Sequence, residues 1–177
     1  MIDEEFIPQK ISIHENGSIE FSENTRPLRV YADGVFDLFH IGHAKLFKQI
    51  KKLLPNCILI AGVVKDEDTF INKGCYPIMN HHERCEIIRS CKFVDEVIVN
   101  PPFNPTLQFV NEHKIDVVAH DNLPYPCEEI EDAYKPFKDE NRFLPTQREK
   151  SVSSTDIVKR ILDQHDFLVN NKKYQKK

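Results

Sequence analysis

The run CILIAGVV at residues 57–64 constrains the fold more than any other part of the chain. Eight consecutive residues without a charged or amide side chain leave no wet face, so as a strand the run must be covered on both sides. It follows IGHAKLFKQIKKLL (41–54), which puts Leu46, Phe47, Ile50, Leu53 and Leu54 on one helical face and Lys45, Lys48, Lys51 and Lys52 largely on the other. Pro55-Asn56 ends that helix.

The same alternation runs along the chain. LRVYA (28–32), VDEVIVN (94–100), IDVVAH (115–120) and an edge-like RFLP (142–145) read as strands. HHERCEIIRSC (81–91) reads as a helix, with Asn80 as N-cap and Glu83 completing a capping-box pattern. PTLQFVNEHK (105–114) is a short helix opening on proline, and SSTDIVKRILDQH (153–165) a final amphipathic one. KDEDTFINKGCYPIM (65–79) reads as a polar loop, and 121–140 as a long loop with room for one helix. Strands alternating with helices predict a single Rossmann-like α/β domain, a five-stranded, mainly parallel sheet with helices on both faces.

At 177 residues the chain suits one full core. Residues 1–26 read as a polar arm with a short strand at Ile11–Ile13, 27–167 as the folded domain, and 168–177 as a basic tail. A formal charge of −4 argues against a general nucleic-acid binder. The cysteines at 57, 75, 85, 91 and 127 lack metal or redox spacing and read as free thiols. MIDEEFIPQK has no leader-like apolar run, and no stretch is long enough to span a membrane, so a soluble cytoplasmic protein is expected.

In a parallel sheet, ligands bind beyond the carboxyl ends of the strands. YADGVFDLFHIGHAKL (31–46) lies there. Gly34 and Gly42 allow a tight turn and a close approach to the helix start. His40 and His43, three residues apart, share the first turn, where free amides and the helix dipole attract anions. Two other readings are core or N-cap histidines, and metal ligation with Asp33 or Asp37. Lys73-Gly74 offers a lysine that can swing onto a phosphate. QREKSVSSTD (147–156) ends in a serine-rich helix start beside Arg148, a second place for phosphate.

These segments resemble the HxGH nucleotidyltransferases: HIGH is similar to the HxGH signature and REKSVSS to the second motif, RTEGIST. YADGVFDLFHIGHAKL, KGCYPIMNHHER, CKFVDEV, IDVVAHDNLPY and PTQRE together resemble, in order, the choline-phosphate cytidylyltransferases over about residues 28–165. The resemblance implies transfer of the cytidylyl group from CTP to phosphocholine, with Mg²⁺ accompanying CTP. It implies that His40 and His43 stabilise the α-phosphate, that Lys73 bridges both substrates' phosphates, and that Arg148, Ser153 and Ser154 hold the triphosphate. Val35, Phe36, Gly42, Gln147, Glu149, Lys150 and Ser151 would line the nucleotide, with His120 and Asp121 orienting cytidine and amine. Asp33, Phe103, Tyr125 and Tyr134 would form the phosphocholine site with Lys73 and Asp121, since trimethylammonium is read by ring faces and carboxylates. CKFVDE, with Lys92 and Asp95, would lie at a homodimer contact.

The departures are specific. Phe103 stands where the family has tryptophan, Ser151 for glycine, Ser154 for threonine, Lys92 for arginine and Asn122 for aspartate. Only ten residues follow Phe167, so the membrane-binding amphipathic helix of many such enzymes is not within this sequence, which is either a catalytic part of a longer enzyme or one that is not switched by lipid. Two alternatives remain from the residues: an ethanolamine-phosphate cytidylyltransferase, or a CTP-binding module without turnover.

Overall fold

The computed structural model describes residues 6–22, 26–126 and 131–170. Five strands form the central sheet: β3 (Arg29–Gly34), β4 (Ile58–Val63), β5 (Glu96–Val99), β6 (Val117–Asp121) and β7 (Phe143–Thr146). Their order is β5-β4-β3-β6-β7, and every pairing is parallel. Chain direction across the sheet reverses between β3 and β6, which makes their carboxyl ends the switch point.

Both faces of the sheet are covered, as the 57–64 run demands. Leu59, Ala61 and Val63 of β4 join one core cluster, with Phe47 and Ile50 of α1 (Ile41–Leu53) and Cys85 and Ile88 of α3 (His81–Arg89). Ile60 points the other way, into a cluster with Tyr31, Val118, Val110 of α4 (Leu107–Glu112) and Phe137 of α5 (Lys135–Asp139). Of the predicted helical stripe on α1, Phe47 and Ile50 are fully buried, while Leu53 remains 38% exposed.

Residues 65–79 are not all loop. Asp66–Lys73 form a helix, α2, with Asp66, Glu67 and Asp68 in its first turn and Gly74 closing it at φ 75°. Acidic residues at the positive end of the dipole and a left-handed glycine cap stabilise a helix that lacks a full apolar stripe. Phe70 and Ile71 of α2 are exposed, which is why hydrophobic periodicity misses it. Thr106, not the preceding proline, caps α4 by accepting the Phe109 amide at 3.1 Å. The tight turn after β3 rests on Phe36 and Leu38 at φ 54° and 47°, not on Gly34, which ends the strand.

At the amino end, β1 (Ile11–Ile13) pairs with β2 (Ile19–Phe21) in a hairpin. Fully buried Asp116 fastens it: the carboxylate accepts the Gln9 amide at 2.8 Å and both Arg26 guanidinium nitrogens at 2.6 and 2.8 Å. The carboxyl-terminal helices α6 (Ser154–Asp163) and α7 (His165–Asn170) bury no residue. Among the described residues no helix is long and apolar enough to cross a membrane, and Cys57, Cys75, Cys85 and Cys91 are free thiols. Cys127 lies outside the described residues.

Candidate active site

The HIGH segment begins α1, and its histidines close the helix end themselves. His40 is the N-cap; its Nδ1 accepts the Gly42 amide at 3.0 Å. His43 reaches back, its Nδ1 accepting the His40 amide at 3.4 Å, so the pair forms a capping box. The N-cap reading is therefore correct, and it has a chemical consequence. A ring nitrogen that accepts an amide proton carries none, so each neutral imidazole holds its proton on Nε2 and keeps it for an outside acceptor. Gly42 is required here for space: a Cβ would lie 2.8 Å from the His40 ring.

The rings stack at 3.8 Å between centroids, and His43 also meets Phe36 edge-on at 5.3 Å. Burial, with His40 and Lys73 nearby, lowers the His43 pKa to about 3, so it is neutral at ordinary pH. His40 is lowered too, by burial and then by Arg148. Lys73, the last residue of α2 and exposed overall, has its ammonium pKa lowered by desolvation and then by Arg148. Lys73 and Arg148 thus disfavour each other's charge, and the neighbouring His40 and His43 rings are held toward their neutral forms. An anion beside Lys73 and Arg148 offsets their repulsion, and the neutral imidazoles add N–H donors.

Arg148 and Gln147 lie in the loop between β7 and α6, over a 220 Å³ cleft also lined by Lys45, Gln49 and Glu149. This loop is tied to α1: the Gln147 amide donates to Gln49 at 3.0 Å, and Lys45 pairs with Glu149. Glu149 also accepts the Ser151 amide at 3.0 Å and its hydroxyl at 2.6 Å. Lys45 first and Ser151 second hold the Glu149 carboxyl at about 2. Lys150 is exposed. Ser153 caps α6 by accepting the Asp156 amide at 3.1 Å, and the Ser154 hydroxyl donates to the Asp37 carbonyl at 2.7 Å.

At the carboxyl ends of β3 and β6, three rings cluster, and one of them bonds a carboxylate. His120 of β6 stacks on Tyr134 at 4.2 Å, and Tyr125 stands edge-on to both at 5.8 and 6.2 Å. The Tyr134 hydroxyl donates to Asp33 of β3 at 3.2 and 3.3 Å. Burial raises the Asp33 pKa, with His120 the main opposing influence. Asp121 accepts the Leu123 amide at 3.1 Å and turns the loop after β6. Phe103 is half-buried in the turn after β5 and has no part in these ring contacts among the described residues.

Sequence reasoning missed the bracing beneath the site. Arg84 of α3 is fully buried; its guanidinium donates to the carbonyls of Val35, Val64 and Met79 and pairs with Asp66. Asp37 accepts three amides, from Leu38, Ile78 and Met79, at 2.9 to 3.0 Å. Together they join the β3–α1 turn to the segment that follows Lys73. The signal was an arginine in line with Cys85 and Ile88 on the buried face of α3. At CKFVDE, Asp95 is engaged within the chain, pairing with Lys51 and accepting the Leu59 amide at 2.7 Å, while Lys92 lies over the Phe93 ring.

A family model described as cytidylyltransferase-like matches residues 31–160. Choline-phosphate cytidylyltransferase A of Mus musculus is 49% identical over 80% of this chain and 38% of its own length. The probable choline-phosphate cytidylyltransferase of Schizosaccharomyces pombe is 50% identical over 81% and 40%. Ethanolamine-phosphate cytidylyltransferase of Arabidopsis thaliana is 39% identical over 77% and 33%. The chain thus spans about two fifths of the length of the choline-phosphate relatives. A crystal structure of the lipopolysaccharide core biosynthesis protein of Thermoplasma volcanium shares the fold, with a TM-score of 0.55 at 24% identity over 70% of this chain and 98% of that one. With 130 of its residues matched by the family model and the HIGH helix start at the switch point of a parallel sheet, the chain belongs to the cytidylyltransferase-like family.

Proposed function

We propose that this chain transfers the cytidylyl group of CTP to phosphocholine, forming CDP-choline and releasing pyrophosphate. The observation that carries the reading is the pairing of two unlike subsites at one switch point. A group of basic side chains (His40, His43, Lys73, Arg148) suits phosphates, and Asp33, bonded to Tyr134 of the three-ring cluster, suits an ammonium.

A phosphocholine phosphate oxygen attacks the α-phosphorus in line. The new P–O bond forms as the bond to the β-phosphate oxygen breaks, and that electron pair leaves with pyrophosphate. The nucleophile is already anionic at neutral pH, so no base need take a proton. Catalysis then consists of positioning and charge stabilisation. The Nε2 protons of His40 and His43 serve the α-phosphate, and the free amides of α1 add to them. Lys73 interacts electrostatically with both Arg148 and Asp33, which supports its role in bridging the two substrates' phosphates. Arg148, with the start of α6 at Ser153 and Ser154, holds the triphosphate, and the loop Gln147–Ser151 with Val35, Phe36, Gly42, His120 and Asp121 lines the nucleotide.

Among the described residues no three His, Cys, Asp or Glu side chains gather to hold a metal. Mg²⁺ enters this reading as part of the MgCTP substrate, with phosphate oxygens as its ligands. The ring cluster favours choline over ethanolamine, because a trimethylammonium offers no N–H and is held by ring faces. We further assign a cytoplasmic site of action and a homodimer contact at CKFVDE through Lys92, since Asp95 is committed within the chain. Pyrophosphate release from CTP, Mg²⁺ and phosphocholine tests the reaction; CTP binding without release would leave only a binding module.

A further inference from the structure

Tyr31 precedes Asp33 by two residues on β3 and so shares its face. Its ring is fully buried and meets Phe109 edge-on at 5.6 Å. Among the described residues, its hydroxyl is the buried side-chain polar atom without a hydrogen-bond partner. The hydroxyl extends over Gly62, the residue paired with Asp33 on β4: a Cβ there would lie 2.1 Å from the phenol oxygen. It thus lies on the same sheet face and at the same register as Asp33, whose charge adds to burial in raising the phenol pKa. A buried hydroxyl left unpaired lowers stability, and phenylalanine would fill the same space without that cost.

The nature of the cation supplies a use for it. A trimethylammonium seated on Asp33 displaces water from the carboxylate and returns no hydrogen bond. The carboxylate must then draw donors from the protein, and the Tyr134 hydroxyl is one. A primary ammonium brings three donors of its own. We propose that Tyr31 is a positioning residue whose idle hydroxyl donates to Asp33 once a quaternary ammonium has displaced its water, and that it thereby favours choline phosphate over ethanolamine phosphate. This rests on the assignment of Asp33 to the ammonium.

The test is calorimetric titration of the full chain and of Tyr31→Phe with phosphocholine and, separately, phosphoethanolamine. Loss of a hydrogen bond to a charged group should weaken phosphocholine about tenfold. Phosphoethanolamine should change much less, so the preference narrows, while the melting temperature holds or rises. Equal weakening of both ligands, or no change in either, overturns the role of Tyr31 while leaving the ammonium site in place. If the unaltered chain binds neither phosphoamine, the ammonium site itself is wrong, and the role of Tyr31 falls with it.

Discussion

The imidazoles of His40 and His43 stack 3.8 Å apart, each with its Nδ1 accepting a backbone amide of the same helix end. Structure and chemistry are thus divided between the two nitrogens of each ring, and substitution can separate them. Asparagine caps helices well, so His40→Asn should keep the melting temperature while lowering kcat by about 10²-fold, the scale of one preorganised donor. His40→Ala should lose the same rate and about 1 kcal/mol of stability as well. Turnover near normal in His40→Asn would mean that His40 serves only as a cap.

Asp33 makes ligand binding pH-dependent. Its carboxyl pKa is raised by burial, so acidification neutralises it above the usual carboxylate range. Choline has no group that titrates there, and as a competitive ligand it should bind fully above the Asp33 pKa and weaken as pH falls through it. The linkage to folding has the matching sign. An acid with a raised folded pKa binds more protons folded than unfolded, so its contribution to stability falls as pH rises from about 3.9 through the raised value. Asp33→Asn should therefore raise the neutral-pH melting temperature and abolish choline inhibition.

Arg84 braces the site from below. Removing its side chain leaves the carbonyls of Val35, Val64 and Met79 and the Asp66 carboxylate without their donor. Arg84→Ala should cost about 3 kcal/mol or more in urea unfolding. At temperatures where it remains folded, kcat should drop with the KM for CTP raised, because the segment after Lys73 loses its anchor.

The ring cluster predicts unequal losses. Tyr125 touches both His120 and Tyr134, so Tyr125→Ala should raise the phosphocholine KM about thirtyfold, equivalent to roughly 2 kcal/mol. Phe103→Ala should raise it about threefold, the exposed-site value, since Phe103 stands outside the stacked rings. The KM for CTP should hold in both; equal losses for the two substrates would mean disrupted packing.

Much of this was legible in the chain. CILIAGVV required two covered faces, and its odd and even residues do enter opposite cores. Asn80 and Glu83 marked the start of α3, where both capping bonds form. Helix α2 was hidden because Phe70 and Ile71 face outward, although its acidic start and Lys-Gly end were in plain view. The placement of His40 and His43 at the sheet edge followed from the end of the first strand, which local pattern defines. The bracing by Arg84 and Asp37 did not, because bonds between residues 35 and 84, or 37 and 79, depend on tertiary approach. Nothing in the pattern of LRVYA singles out Tyr31, and only its unpartnered hydroxyl distinguishes it.

The most direct measurement compares kcat/KM for phosphocholine and phosphoethanolamine at saturating MgCTP, following pyrophosphate release. A carboxylate bonded to Tyr134 of the His120, Tyr125 and Tyr134 ring cluster predicts measurable turnover with phosphocholine preferred by tenfold or more, about 1.4 kcal/mol or above in transition-state binding. Equal use of the two phosphoamines, a preference for phosphoethanolamine, or no pyrophosphate from either would contradict it.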